Sequence, residues 1–66
     1  MPPALRRAQI LDRVQRTGGV SVAEIARSFD VSTITAHRDL EALAADGLVE
    51  RVHGGARALG GAGVPA

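Results

Sequence analysis

The sequence contains no cysteine, so neither a disulfide framework nor a thiolate zinc site can stiffen the chain. Aromatic residues are almost as scarce, Phe29 being the only one. Lysine is absent, and all eight basic residues other than histidine are arginine. That usage fits a GC-rich genome as well as it fits a preference for bidentate phosphate contacts. No apolar run approaches the roughly 20 residues of a membrane span. The charges in "MPPALRRAQIL" interrupt any secretory core, so a cytoplasmic, soluble chain is the expectation. Sixty-six residues suffice for one small domain with a modest core.

Net charge is only +1, but it is unevenly spread. Residues 1–20 carry four arginines against Asp12, residues 21–50 carry six acids against Arg27 and Arg38, and residues 51–66 add Arg51 and Arg57. Two basic ends flank an acidic middle, so contact with a polyanion would draw on both ends.

The first helix is expected over 4–17. Pro2 and Pro3 suit its entry, Leu5, Ile10, Leu11 and Val14 form its stripe, and Gly18-Gly19 ends it. Val20 then stands isolated, as in a one-residue bridge of sheet. "SVAE" at 21–24 is a capping box opening a second helix over 22–29, which buries Val22, Ile25, Ala26 and Phe29. Asp30 and Val31 turn the chain, Ser32 caps a third helix over 33–46, and Gly47 stops it. Leu48 to His53 alternates weakly, Gly54-Gly55 signals a hairpin turn, and Ala56 to Leu59 can return as the partner strand. "GGAGVPA" at 60–66 reads as a tail or linker. The expected fold is mainly α: three helices over residues 1–59, closed by a two-stranded β-hairpin across 48–59. The expected core is Leu5, Ile10, Leu11, Val14, Ile25, Ala26, Phe29, Val31, Ala36, Leu40, Leu43, Leu48 and Val52.

At about 100° per residue, Ala36, Leu40 and Leu43 of the third helix point inward. Ile34, Arg38, Glu41 and Ala45 point outward, flanked by His37 and Thr35. A capped helix pair joined by a short turn, with small Ala26 at the crossing, is helix-turn-helix geometry, and the glycine-turned hairpin sits where a wing would. Arg38 can fork onto guanine O6 and N7 or onto a phosphate, and Thr and His side chains can do either. Ile34 suits a thymine methyl and gains nothing from water. A polar helix face alone is more often merely solvated. The pattern around it favours double-stranded DNA as the partner.

"RRAQIL" at 6–11, "VSVAEIARSFDVSTITAHRDLEALAADGLVERVHGGA" at 20–56, and within it "TAHRDL" and "VHGGA" carry a resemblance. The chain resembles the N-terminal winged helix-turn-helix domain of the DeoR family, bacterial transcriptional regulators of sugar and nucleoside metabolism. It departs from the family pattern at Ala36 and His37, where a larger aliphatic and an arginine are common. The resemblance implies recognition-helix contacts at Thr33, Ile34, Thr35, His37 and Arg38, with Ser32 at the helix start. It implies backbone contacts from the wing around Arg51, His53 and Gly54, although Gly54 and Gly55 serve first as turn geometry. Asp39 reads as structural, paired with Arg6 or Arg7; either arginine could instead touch phosphate. The family's C-terminal domain senses a phosphorylated sugar and drives oligomerisation, so the 66 residues alone should be mainly monomeric, bind DNA weakly and ignore sugar phosphates. Repression is the favoured direction of regulation.

An enzyme is not expected. His37 and His53 alone make a poor metal site, Ser21 and Ser32 are explained as caps, and no cofactor is implied. The alternative reading is a winged helix used for protein–protein contact, its acidic middle meeting a basic partner.

Overall fold

Local rules account for where each helix begins and ends. In the structure, a computed structural model that describes residues 1–59, the order is α1 (Pro3–Thr17), β1 (Gly19–Ser21), α2 (Val22–Phe29), α3 (Thr33–Ala45), β2 (Glu50–Val52) and β3 (Gly55–Arg57). The Ser21 hydroxyl accepts from the Glu24 amide at 2.9 Å while the Ser21 amide donates to the Glu24 carboxylate at 3.1 Å. Both halves of the capping box are therefore made. Asp30 closes α2 in a left-handed conformation (φ 54°), and Ser32 accepts from the Thr35 amide to start α3. At the far end of α3 the Gly47 amide donates to Ala44 and the Leu48 amide to Leu43. With Gly47 at φ 75°, this is a Schellman motif. The helices depart from the expected spans by one residue at most.

The sheet is larger than expected. Val20 does not form a lone bridge: Gly19–Ser21 is a strand that pairs antiparallel with β3, giving the order β1-β3-β2. The hairpin turn also sits one residue earlier than the glycine pair suggested. Val52 pairs with Gly55, so His53-Gly54 forms the turn and Gly55 belongs to the strand. The two glycines meet different needs. Gly54 supplies the positive φ (78°) of the turn. A Cβ on Gly55 would lie 2.2 Å from the Val20 carbonyl oxygen, so only glycine lets β3 approach β1.

The core comprises Ile10, Val14, Val20, Val22, Ile25, Ala36, Leu40, Leu43, Val49 and Ala56. Leu5, Leu48 and Val52, expected inside, are exposed at 48%, 41% and 37%. Leu11, Phe29 and Val31 pack at its margin, and Ala26 is half-buried. On α1 the buried row is Arg6, Ile10 and Val14, spaced by four, which leaves Leu5 a full 100° off the row. After α3 the turn at Gly47 resets the strand's parity, so Val49 faces inward and Leu48 and Val52 do not. The expected tail at 60–66 lies outside the described residues.

Candidate nucleic-acid interface

The orientation of α3 is set from behind. Asp39 is fully buried and takes three hydrogen bonds from α1. Arg6 donates through Nε to Oδ2 and through Nη2 to Oδ1 (3.1 Å), and Arg7 Nε donates to Oδ1 at 2.9 Å. Sequence alone left a choice between Arg6 and Arg7 as the partner; both serve. Arg6 is 8% exposed, so its guanidinium is committed to Asp39 and is withdrawn from the set of phosphate contacts. The Arg7 side chain keeps 38% exposure. Burial alone would push the Asp39 carboxyl up, but the hydrogen bonds and positive charge of Arg6 and Arg7 outweigh it and hold it below its ordinary value. The bond to Asp39 raises Arg6 despite burial. An ion pair therefore fastens α1 to α3 at the residue next to Arg38.

Fixing Asp39 inward turns its neighbours outward. Thr33, Ile34, His37 and Arg38 are exposed, Ile34 at 62%. Among the described residues Arg38 has no ion-pair partner, so its fork is available. Thr35 is half-buried, and its hydroxyl accepts from Ser32 Oγ at 3.1 Å. Ser32 and Thr35 are thus engaged with each other at the cap. His53 and Gly54 stand exposed at the wing tip.

Arg51 is the residue whose surroundings the sequence did not foretell. It lies on the inner face of the sheet and reaches back to α3, donating to Glu41 Oε2 at 2.5 Å and to the Gly55 carbonyl at 3.0 Å, with His37 Nδ1 3.4 Å away. It is not a free cation at the wing tip. Strand pairing could have signalled this, because the residue opposite Arg51 is buried Ala56. On the outer face Arg57 pairs with Glu50, both exposed.

The family model of the DeoR-like helix-turn-helix domain matches residues 6–62. The chain belongs to this family. Similar proteins include the lactose phosphotransferase system repressor of Lactococcus lactis subsp. lactis, 48% identical over 54 residues, covering 82% of this chain and 21% of that protein. The L-fucose operon activator of Haemophilus influenzae is 49% identical over 47 residues, 71% of this chain and 19% of its own length. The glycerol-3-phosphate regulon repressor of the same organism is 41% identical over 56 residues, 85% and 22%. This DeoR-like domain thus spans about a fifth of the length of the curated relatives it matches. No solved structure is a significant match. Among the described residues of the domain, no helix is long and apolar enough to cross a membrane.

Proposed function

We propose that this DeoR-like domain binds double-stranded DNA for a transcriptional regulator, with the N-terminal half of α3 in a major groove and the wing along the backbone. The observation that carries the reading is the outward face of α3: an exposed Ile34 one turn before Arg38, which has no ion-pair partner among the described residues, flanked by Thr33 and His37, on a helix held from behind by Asp39. An isoleucine there costs solubility and gains contact only against an apolar surface such as a thymine methyl. Arg38 reads a guanine edge, and Arg7, His53 and the Gly54 backbone supply phosphate contacts. The domain acts by binding, without catalysis.

Repression is the favoured outcome, given relatives named as repressors of lactose and glycerol-3-phosphate systems, though one is named an activator. Specific binding in this class uses two symmetry-related copies, so a lone domain contacts half a site. Dimerisation and the sensing of a sugar phosphate belong to a C-terminal domain of the family's longer proteins. The test is a salt titration with mixed-sequence duplex DNA. Affinity falling steeply with salt, through release of condensed counterions, supports the reading. Salt-independent or absent binding favours the protein–protein alternative.

A further inference from the structure

We propose that Glu41 holds Arg51 back from the phosphate backbone, so that a charge-neutral pair fastens the wing to the recognition helix. The proposal rests on the DNA-binding reading above and revises the backbone contact that the family resemblance implies for Arg51. By its place in the hairpin, Arg51 would be a phosphate anchor. Strand parity sends it elsewhere. Val20, Ala56 and Arg51 are opposite one another across β1, β3 and β2 and therefore share one face of the sheet. Val20 and Ala56 are buried at 7% and 2% exposure, so this is the face against the helices. The Arg51 side chain leaves the wing inward and ends between three groups, the Glu41 carboxylate, the Gly55 carbonyl and the His37 ring. It is 22% exposed, against 70% for Glu41.

Glu41 is the outlying member of a face otherwise suited to DNA. It lies seven residues after Ile34, two helical turns and about 10 Å further along the axis, on the same side. A bare carboxylate there would meet phosphate charge at the groove's edge. Paired with Arg51 it presents none, and the same pair sets the angle of the wing against α3. Arg51 is thus a positioning residue, and Glu41 the group that keeps it so. The bond from Arg51 Nε to Gly55 holds the guanidinium beside the hairpin turn when Glu41 is neutralised, where its Nη groups can then turn to phosphate.

The experiment is a cycle of Glu41→Gln, Arg51→Gln and the double variant, each titrated with a short mixed-sequence duplex across a salt series. Each phosphate neutralised contributes about −0.9 to the slope of log affinity against log salt. Glu41→Gln should steepen the slope by about that amount and tighten binding at low salt, the advantage shrinking about 3.5-fold between 50 and 200 mM. Arg51→Gln loses no phosphate contact but bares the Glu41 carboxylate, so it should weaken binding with a slope change well short of about 0.9, and the double variant should return to the wild-type slope. Three results overturn the proposal: a slope shallower by about 0.9 for Arg51→Gln alone, no effect of Glu41→Gln, or an equal effect of Glu41→Gln with and without Arg51. The last would mean that the carboxylate acts through its own charge.

Nitrogen-15 spectra of the free chain give a DNA-independent reading. Arg51 should show slowly exchanging Nη protons that Glu41→Gln abolishes while Nε–H persists. Duplex binding without those signals sinks the proposal alone. A wild-type chain with no salt-dependent duplex binding removes the DNA reading and the proposal with it.

Discussion

Asp39→Ala should be the most damaging single change on α3. The carboxylate is fully buried, accepts three hydrogen bonds, and neutralises Arg6, itself 8% exposed. Truncation leaves a guanidinium out of water with no counter-charge, and breaking a buried pair from one side costs roughly 3–5 kcal/mol. A chain of 66 residues has a total stability of only about 3–10 kcal/mol at typical values per residue. The variant should therefore melt about 12–40 °C lower or fail to fold. Thermal and urea unfolding followed by circular dichroism read this directly. The counter-test replaces both partners, as Arg6→Met with Asp39→Leu. With no charge left to desolvate, the double variant should recover most of the loss. If Asp39→Ala melts within about 1 kcal/mol of the parent, or the double variant loses the sum of the single changes, then the pair does not hold α1 to α3 as argued.

The same carboxyl sets an acid limit. Its pKa in the folded state lies below the ordinary value, so near pH 4 the unfolded chain binds more protons than the folded one. The stabilisation it provides is complete above that pH and is lost as pH falls through the depressed pKa; Asp39→Asn should flatten the acid limb of stability against pH. Gly55→Ala should break the β1–β3 pairing, since its Cβ would meet the Val20 carbonyl oxygen at 2.2 Å, and the β-strand amides should lose hydrogen-exchange protection. Gly54→Ala, with open space around it but φ 78°, should cost only about 1–2 kcal/mol. Phe29→Ala should cost less than the roughly 3–5 kcal/mol of a fully buried phenylalanine, because Phe29 lies at the core's margin with the Arg13 guanidinium 5.7 Å from its ring centre. A urea midpoint shift matching a full core deletion would contradict that placement.

The helices were legible because each boundary carries its own chemistry: two serines with acceptor hydroxyls, a Glu three residues on from one of them, and Gly47 at the stop. The sheet was less so. β1 is three residues long, and its partner lies more than thirty residues further along the chain, so no local pattern announces it. Gly55 looked like half of a turn because its actual constraint, the backbone of β1, is distant in sequence. Charge was partly legible: Asp39 beside the buried face of α3 pointed to Arg6 or Arg7 as its partner, but not to both, nor to the burial of Arg6 in phase with Ile10 and Val14. Ile34 and Arg38 were identifiable as an outward pair from helical phase alone. Arg51 was not, because its direction depends on strand register, and a one-residue slip reverses it.

We propose that α3 reads base edges through Arg38. The most direct measurement compares wild type and Arg38→Ala on a duplex enriched from a random pool by the wild-type domain and on a mixed-sequence duplex. A base-reading Arg38 predicts a loss of roughly 1–3 kcal/mol on the enriched duplex, a much smaller loss on mixed sequence, and relaxed preference at one base pair. Equal weakening on both duplexes, with preference intact at every position, would make Arg38 a phosphate contact and contradict the account.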